Sequence, residues 1–423
     1  MLEGRARAVA EVDLAAIRHN VRRLTRDLLP GGQHCAVVKA FGYGHGAVPA
    51  ARAALAAGSS WLGVATATEA EELRAAGLEA PIMVFGPMTG AELGRAVAAG
   101  ADIVVWSAPF LEEARRLGAR VHVKFDSGMG RLGVTEAETR ELCAAAAAGP
   151  SRLVGLMSHF ATADEADTTF FEYQLGRFTA LADELKRLYP DLLRHTANSA
   201  ATLRSPASHF DVVRTGIALY GLAPSNDDPF KDDLRPAMRL ISYIAGVRHV
   251  EPGDSVGYGR RFIAEAPARI GIVPIGYADG IARALTNRGD VLIAGRRCRI
   301  TGTISMDQLT VRLPDDWGAP GDEVVFFGAA RKGQGDGAPT ESGGAPTGAR
   351  SAQLPPGGGE RILCEEVAQL LGTINYEIVC DVGARVVRRY LNDTDAGDDG
   401  AVEPDAGREG ADETDATMGA GTD

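Results

Sequence analysis

The chain has 423 residues, of which 45% are apolar and 24% charged, and its formal net charge is −12. At this length a single hydrophobic core stops growing, so two domains are expected. No apolar run reaches the ~20 residues of a membrane span, and the N-terminus lacks the apolar segment of a signal peptide. We therefore expect a cytoplasmic protein with no membrane contact. Five widely spaced cysteines without a C-x-x-C pair also disfavour a metal site or a disulfide framework.

The negative charge is concentrated at the C-terminal end. Residues 391–423 contain eleven Asp and Glu against one Arg, a balance of −10, which leaves −2 of the total −12 for the rest of the chain. This segment has few large apolar residues, so we predict an acidic disordered tail. Nucleic acid is not an expected partner, because Lys and Arg form no stripe with interleaved aromatic residues.

Short apolar runs alternate with amphipathic stretches over the first half of the chain. Asp13 is a plausible N-cap for a first helix, since apolar residues recur behind it at helical spacing. Eight strand-like runs follow, at Cys35–Val38, Leu62–Ala65, Ile82–Phe85, Ile103–Trp106, Val121–Phe125, Leu153–Met157, His195–Ala197 and Phe210–Val213. Helical stretches such as Ala67–Ala76 and Glu136–Ala148 separate them. Eight βα units over roughly 220 residues predict an α/β fold of the TIM-type (β/α)8 barrel class, which typically takes ~250 residues.

The stretch Ala36–Gly46, A-V-V-K-A-F-G-Y-G-H-G, places Lys39 just after the first predicted strand. A lysine at a strand end can simply extend its amine into water. Here, however, Tyr43, His45 and three glycines follow within a few residues and let a ligand approach the backbone closely. The carboxyl ends of barrel strands are also where active sites form. Lys39 is therefore a candidate reactive amine.

Further polar residues follow the later strands. Taken singly, His159 could be a satisfied core histidine and Arg214 a surface ion pair. Their common position after barrel strands favours one shared site at the mouth of the barrel, formed by Lys39, Lys124, Asp126, His159, Asn198, Ser199, Arg214 and Gly216. Ser199, Gly216 and Ile217 lie in the loops after strands seven and eight, which often bind phosphate. A lysine beside a phosphate site suggests a phosphorylated aldehyde cofactor held as a Schiff base.

A second, mostly β domain is predicted from about Arg235, where short runs with a period of two take over. The runs are Ser255–Gly259, Ile270–Gly280, Val291–Ala294, Arg299–Met306 and Leu309–Leu313. Ala329–Glu360 has one large apolar residue and is predicted to be a disordered insertion. Beyond it, Ile362–Leu371 is predicted as a helix and Tyr376–Cys380 as a strand.

From about Ala8 to Tyr390 the chain resembles alanine racemase, the pyridoxal-phosphate-dependent barrel family (fold type III). The matching motifs are V-V-K-A-x-x-Y-G-H-G at Lys39, K-x-D-x-G-M-G-R-L-G at Lys124, S-H-F-A-T-A-D at His159, A-N-S-A at Ser199, R-x-G-I-A-L-Y-G at Arg214, V-G-Y-G at Tyr258, P-I-G-Y-A-D-G at Tyr277, S-M-D-Q at Met306 and I-N-Y-E at Tyr376. The resemblance implies an N-terminal segment, 1–11, that packs with the C-terminal domain, a barrel at 12–234, a β domain at 235–390 with the disordered insertion at 329–360, and the tail at 391–423.

The resemblance also implies an activity, the racemisation of L- and D-alanine through a pyridoxal 5'-phosphate aldimine, which supplies D-alanine for peptidoglycan. Lys39 would hold the cofactor and move the α-proton on one face, and Tyr258 of the partner subunit in a homodimer would serve the other face. The resemblance implies the remaining roles as well. His159 would be the hydrogen-bonded partner that adjusts the pKa of Tyr258, and Arg214 would donate to the pyridine nitrogen of the cofactor. The phosphate would be held by Tyr43, Ser199, Gly216, Ile217 and Tyr376, the substrate carboxylate would face Arg131 and Met306, and Lys124 is a candidate for carbamylation.

The chain departs from the family pattern at two places. Phe41 stands where the family usually has Asp or Asn, and Thr303 stands where many members have an Arg that lines the substrate corridor. Arg283 and Asp164 match other corridor positions.

Two other functions share most of these features. A non-catalytic barrel that carries pyridoxal phosphate would have the lysine but lack the β domain with Tyr258 and S-M-D-Q. A broader racemase for Ser, Lys or Arg would differ mainly in pocket size, and Tyr376 and Met306 are expected to keep the pocket short.

Overall fold

The computed structural model describes residues 5–331 and 360–393. The predicted insertion at 329–360 and the predicted acidic tail at 391–423 lie outside the described residues, except for the few positions at their edges. None of the described helices is long and apolar enough to cross a bilayer.

The helices and strands alternate through the first half of the chain, and strands predominate in the second. The helices are α1 Leu14–Thr25, α2 Lys39–Tyr43, α3 Ala47–Ala56, α4 Ala67–Ala75, α5 Gly90–Ala98, α6 Ala108–Arg116, α7 Glu136–Ala147, α8 Thr169–Leu188, α9 Ser199–Arg204, α10 Cys364–Leu371 and α11 Asn375–Cys380. The strands are β1 Val9–Asp13, β2 Gln33–Val37, β3 Trp61–Val64, β4 Ile82–Val84, β5 Asp102–Val105, β6 Arg120–Lys124, β7 Arg152–Met157, β8 Leu193–His195, β9 Val212–Thr215, β10 Met238–Tyr243, β11 Gly246–Val250, β12 Ser255–Val256, β13 Phe262–Ile263, β14 Ala268–Val273, β15 Asp290–Ile293, β16 Arg296–Arg299, β17 Leu309–Leu313, β18 Glu323–Ala329, β19 Arg361–Ile362 and β20 Val387–Leu391.

The eight-stranded parallel sheet forms a nearly closed barrel in the order β8-β7-β6-β5-β4-β3-β2-β9. The two terminal strands meet through backbone hydrogen bonds, since the Arg214 N–H donates to the Ala197 carbonyl and the Asp211 N–H to the Arg194 carbonyl, both at 3.0 Å. The predicted (β/α)8 barrel is thus confirmed. All eight predicted strand runs overlap barrel strands, with shifts of one or two residues at their ends.

Local sequence signals set where several barrel helices begin. The Asp13 carboxylate accepts from the Ala15 N–H at 2.9 Å, so it caps α1. Helices α4, α5 and α7 each begin with a capping box, in which a threonine bonds to the N–H of a glutamate three residues later and the glutamate bonds back. These caps fix the loops that connect the strand ends to the helices.

The β domain follows the barrel and includes the first strand of the chain. Strand β1 lies between β10, with which it pairs antiparallel, and β20, with which it pairs parallel. The full order of this sheet is β16-β15-β18-β10-β1-β20 with β19 on β18, and a second sheet contains β11-β14-β17. Buried Arg239 on β10 joins Glu11 on β1 to Glu323 on β18. The fold class, a barrel followed by a mostly β domain, agrees with the prediction.

Four details of the sequence interpretation are wrong. The run Ile270–Gly280 is a strand only as far as Val273 and ends in the 3-10 turn Tyr277–Asp279. The segment Tyr376–Cys380 is part of helix α11, not a strand, and its buried residues Asn375, Ile378 and Val379 recur at helical spacing. The predicted strand Arg299–Met306 ends at its first residue, because Gly302 has φ 81° and turns the chain. The run Ser255–Gly259 contains only the two-residue strand β12 before Gly257 turns at φ 75°.

Candidate active site

Lys39 lies at the barrel mouth at the start of an unusual turn. The residues that follow it, Ala40, Phe41, Gly42 and Tyr43, all have positive φ between 52° and 61°. A left-handed turn costs about 1–2 kcal/mol for each non-glycine residue, so neighbouring groups must hold it in place. Strand β2 ends at Val37 and the positive-φ residues begin at Ala40, so Lys39 lies between them at the carboxyl end of the strand.

Contacts from both domains hold this turn. Glu69, at the start of α4, accepts a 2.7 Å hydrogen bond from the Ala40 N–H while also bonding to the Ala65 and Thr66 N–H groups. From the β domain, Arg388 donates to the Gly44 carbonyl at 3.1 Å and lies over the Phe41 ring at 5.4 Å. Phe41, which departs from the family pattern, therefore makes a cation–π contact.

The pocket around Lys39 also contains the cationic side chains Lys124, Arg131 and Arg214. Burial and the positive charge of Arg131 lower the pKa of Lys39, while Glu69 opposes that shift. Burial, together with Arg214 and Arg131, lowers the pKa of Lys124 to about 8. Both amines are therefore more readily neutral, and more nucleophilic, than ordinary lysines. Arg131 itself is exposed at the edge of the mouth.

Arg214 is buried on β9 and connects several groups. Its guanidinium donates to the Ser158 carbonyl at 2.8 Å, to His195 Nδ1 at 2.9 Å and to His159 Nδ1 at 3.3 Å. An arginine can only donate, so His159 Nδ1 must accept and its Nε2 carries the proton. Burial and the charge of Arg214 hold the pKa of His159 well below its usual value. His159 is thus a neutral imidazole with a defined tautomer.

Ser199, at the start of α9, is placed to bind an anion. Its Oγ accepts from the Gly216 N–H at 3.0 Å and from the Ala218 N–H at 3.3 Å. With both lone pairs engaged, its hydroxyl hydrogen remains to donate. A Cβ on residue 216 would lie 2.3 Å from the Tyr43 hydroxyl, so the glycine leaves room for Tyr43. The Tyr43 hydroxyl is therefore a second donor beside Ser199. Two hydroxyl donors near the first turn of a helix suit a phosphate group.

The other two predicted phosphate ligands lie around the same loop. Ile217 is buried at the start of a 3-10 turn, Ile217–Tyr220, directly after Gly216. The ring of Tyr376, on α11, lies 6.2 Å from the ring of Tyr43. Burial raises the pKa of both tyrosines, which keeps their hydroxyls protonated as donors.

Tyr258 and Met306 have a different environment. The Tyr258 side chain is 73% exposed and that of Met306 is 52% exposed, so neither is enclosed in the Lys39 pocket of its own chain. Both lie in turns of the β domain. The hydroxyl of buried Thr303 donates to the Tyr258 carbonyl at 2.6 Å and supports this turn. The corridor candidates Arg283 and Asp164 are also exposed.

Sequence reasoning missed three buried residues behind this site. His195 bonds to Arg214, His122 bonds to His195, and Asp102 bonds to His122. Each has a polar side chain within or beside a run of apolar strand residues, which is the signal that could have identified them. Buried polar groups in a strand require partners.

Two family models match consecutive parts of the chain. The model for the alanine racemase N-terminal domain matches residues 12–224, and the model for the alanine racemase C-terminal domain matches residues 237–339. Fold, site and models together define the protein as an isomerase built on a (β/α)8 barrel with a β domain.

Individual relatives agree with this class. The alanine racemase of Frankia casuarinae is 42% identical over 399 residues, which cover 91% of this chain and 96% of that protein. The crystal structure of alanine racemase from Streptomyces lavendulae, 40% identical, superposes with a TM-score of 0.81 and covers 92% of this chain and 98% of that chain. The alanine racemase of Bacillus anthracis, solved with bound L-Ala-P, is 34% identical, with a TM-score of 0.79 and coverage of 92% and 96%. The chain belongs to the alanine racemase family.

Proposed function

We propose that this protein interconverts L- and D-alanine with pyridoxal 5'-phosphate bound at Lys39, and so supplies D-alanine for peptidoglycan. The observation that carries the proposal is the pocket itself, in which an amine of lowered pKa, a buried arginine and two hydroxyl donors lie at one barrel mouth. Bound pyridoxal phosphate would supply an electron sink that acidifies the α-proton of an amino acid. Ser199, Tyr43, Tyr376 and the Gly216–Ile217 backbone would hold its phosphate.

Inversion at the α-carbon needs proton transfer on two opposite faces. Lys39 would remove or return the proton on one face, because its lowered pKa favours a neutral amine that can act as a base. A second base has to reach the other face. Tyr258 of the partner subunit is the proposed second base.

His159 is suited to assist that tyrosine. An ordinary tyrosine has a pKa near 10, which is too high for an efficient base at neutral pH. The proton on His159 Nε2, fixed there by the bond from Arg214 to Nδ1, can donate to a phenolate oxygen and stabilise it. His159 would therefore lower the pKa of the partner's Tyr258.

A homodimer explains why the two bases lie apart in one chain. Lys39 lies at the half-buried barrel mouth, while Tyr258 is exposed on the β domain. In a symmetric dimer, each β domain can place Tyr258 and Met306 over the barrel mouth of the other subunit. Each active site would then need both subunits.

Arg131, with the partner's Met306, would bind the substrate carboxylate, and Lys124 would orient Arg131. Lys124 and Arg131 are neighbouring cations, and Arg131 contributes to the lowered pKa of Lys124. Carbamylation of Lys124 would replace this repulsion with attraction, and the new anion would orient Arg131. A neutral amine is what reacts with carbon dioxide, and a pKa of about 8 favours it.

Mixing two inactive variants tests the whole proposal. Lys39→Ala removes the cofactor-bearing amine and Tyr258→Phe removes the second base, so each homodimer should be nearly inactive. A hybrid dimer contains one intact site and one doubly altered site, so random exchange should restore about a quarter of wild-type activity. Absence of recovery, when subunit exchange is shown by mass spectrometry, would contradict the shared site.

Substrate choice needs a separate measurement. The racemisation rates of L-Ala, L-Ser, L-Lys and L-Arg should be compared under identical conditions. We expect alanine to have the highest kcat/KM, because Tyr376 and the partner's Met306 would shorten the pocket. Equal values for the larger substrates would instead identify a broad-specificity racemase.

A further inference from the structure

A continuous chain of buried polar side chains runs through the barrel behind Arg214. His195 Nδ1 accepts from Arg214 at 2.9 Å, and His195 Nε2 lies 2.8 Å from His122 Nδ1. His122 Nε2 lies 3.1 Å from Asp102 Oδ2, and Asp102 forms a two-point contact with Arg120 at 2.7 and 3.1 Å. Asp102 and Arg120 lie at the amino ends of β5 and β6, whereas Arg214 faces the mouth. The chain therefore connects the two ends of the barrel.

The barrel makes space for this chain. His122 lies opposite Gly155 on β7, where the register between β6 and β7 shifts. A Cβ on Gly155 would lie 2.3 Å from His122 Nδ1, so only glycine admits the imidazole here. The Trp61 ring packs edge-on against His122 at 5.8 Å. Apolar residues normally fill such an interior, so a polar chain with a glycine and a strand irregularity around it requires an explanation.

Donor and acceptor chemistry fixes every proton along the chain. Arg214 can only donate, so His195 Nδ1 accepts and the proton of neutral His195 is on Nε2. His195 Nε2 then donates to His122 Nδ1, which places the His122 proton on Nε2. That proton points at the Asp102 carboxylate, which can accept it. The assignment from the arginine end agrees with the one required at the aspartate end.

The electrostatics agree with this arrangement. Burial, with Arg214 as the next cause, lowers the pKa of His195 well below its usual value, so that this imidazole stays neutral. Although burial of Asp102 opposes ionisation, hydrogen bonds from His122 and Arg120 lower its pKa. The series of hydrogen bonds thus has a carboxylate at one end, a guanidinium at the other and two imidazoles between them. Burial lowers the pKa of Arg214 to about 10, so it remains charged at neutral pH.

We propose that Asp102 and His122 are positioning residues, which act through His195 to hold Arg214 as a fixed donor toward the pyridine nitrogen. This inference rests on the proposed function and on the role that the family resemblance implies for Arg214, which is to donate to that nitrogen. Without the lone pair of His195 the guanidinium can turn to other acceptors, such as the Ser158 and Thr196 carbonyls it already contacts. The ring nitrogen would then be free to bind a proton, and the ring would become a stronger electron sink.

Two substitutions of His122 separate the hydrogen bonds from the space that the residue fills. His122→Gln keeps an acceptor for His195 and a donor for Asp102, whereas His122→Leu keeps neither. The protein is reconstituted with pyridoxal phosphate labelled with ¹⁵N in the ring, and the ring-nitrogen chemical shift reports its protonation. For His122→Leu we expect a shift toward the protonated form and about a tenfold rise in pyruvate released per racemisation, the effect of losing one hydrogen bond to a charged group. Pyruvate would form when the α-proton is returned to the cofactor instead of to the α-carbon and water then releases the keto acid, which leaves the amino group on the cofactor as pyridoxamine phosphate. The Gln variant should stay within about twofold of wild type.

Two further variants keep the test decisive. If His122→Leu does not fold, Asp102→Leu removes the terminal acceptor instead, and it should change the ring-nitrogen shift in the same direction. Asp211→Asn is the matched control, because Asp211 also pairs with an arginine of a barrel strand, Arg194, but hydrogen-bonds to neither His122 nor His195. It should leave the shift and the pyruvate ratio unchanged.

The outcomes distinguish the two levels of the proposal. An unchanged ring-nitrogen shift in folded His122→Leu and Asp102→Leu would overturn the positioning role. A wild-type protein whose ring nitrogen is already protonated would likewise overturn the positioning role, whereas a wild-type protein that binds no pyridoxal phosphate would contradict the proposed function instead. Histidine ¹⁵N spectra of the wild-type protein should show His122 and His195 as Nε2–H tautomers, and any Nδ1–H form at either position would contradict the proton assignment.

Discussion

The two regions proposed to form the active site differ in how firmly their side chains are held. At the barrel mouth, buried Arg214 and Ser199 have fixed hydrogen-bond partners, and buried Tyr43 packs against the ring of Tyr220. On the β domain, Tyr258 and Met306 are largely exposed. A large exposed tyrosine and methionine in supported turns are typical of a surface that another molecule covers. In the proposed dimer, each chain would therefore supply one preorganised half-site and one half-site that is completed only by contact with the partner.

This difference teaches what each region contributes to catalysis. Preorganised donors in the barrel are suited to hold a cofactor in one orientation before substrate arrives. In the proposed dimer, the β-domain turns would add their groups only when two subunits meet, so assembly would control the second base. Substitutions in the barrel should therefore change cofactor binding and chemistry, whereas substitutions in the turns should change proton transfer or substrate binding and spare the cofactor.

Removing the Lys39 amine should have the largest effect. Lys39→Ala eliminates both the covalent link to the cofactor and one base, so activity should fall by more than about 10⁴. Borohydride treatment of wild-type protein should abolish its visible absorption band and label the peptide that contains Lys39. The variant should show neither band nor label. Lys186→Ala, which alters a lysine on α8 paired with Asp211, serves as the control. Labelling of any other peptide would contradict the assignment of Lys39.

Removing the Tyr258 hydroxyl should have the next largest effect and should spare the cofactor. Tyr258→Phe loses general acid–base assistance worth about 10² to 10⁴ in rate, and it leaves the ring in place. In deuterated water, this variant should exchange the α-proton of only one enantiomer, the one presented to Lys39. Tyr243→Phe, on β10, should behave like wild type. Exchange of both enantiomers at near wild-type rates would assign the second base to another residue, such as His159.

Lys124 should have an intermediate effect that falls on substrate binding. Lys124→Met removes the proposed carbamate that orients Arg131, and the KM for alanine should rise about tenfold, as expected for one lost contact between charged groups. A ¹³C signal from labelled carbon dioxide should appear in wild type only. Since burial lowers the pKa of Lys124 to about 8, the signal at fixed dissolved carbon dioxide should grow as pH rises through that value. An unchanged KM together with no carbamate signal would remove Lys124 from the site.

The smallest effect should come from Phe41. Phe41→Leu removes the ring under Arg388, a contact worth about 0.5–1 kcal/mol at an exposed position. Phe230→Leu is the matched control, because Arg361 lies over the Phe230 ring at 4.5 Å. This second pair is far from Lys39 in the sequence. Both variants should lose similar free energy of unfolding in urea. Only Phe41→Leu should weaken pyridoxal phosphate binding, by about two- to fivefold, and equal binding by both variants would show that this contact does not support the Lys39 turn.

The barrel could be predicted from sequence because its signals are local. Each strand is a short apolar run, and helices such as α4 begin with a capping box. The β domain was harder, since glycines at positions 257 and 302 interrupt runs that look continuous. Helix α11 was mistaken for a strand because its β-branched residues resemble one, although its buried residues follow helical spacing. Strand β20 escaped notice because its pairing partner lies at the other end of the sequence.

The site was predictable where motifs carry it and not where packing carries it. Lys39, His159 and Arg214 stand directly after strand runs, so their common position could be inferred. The series of hydrogen bonds from Arg214 through His122 to Asp102 could not be inferred from the sequence, because its contacts join residues 19 to 73 positions apart. Nor does sequence indicate the left-handed turn after Lys39, since Ala40 and Phe41 have no preference for positive φ.

The position of β1 between β10 and β20 imposes an order on folding. Val9 pairs with Val387 in the same sheet, so one edge of the first strand stays uncovered until almost 380 further residues have been synthesised. At ribosomal rates of ~5–20 residues per second, this wait is about 20 to 75 s. Barrel strands can meanwhile pair with their sequence neighbours, because those contacts are short in sequence. We therefore expect the barrel to form before β20 closes the β-domain sheet on β1.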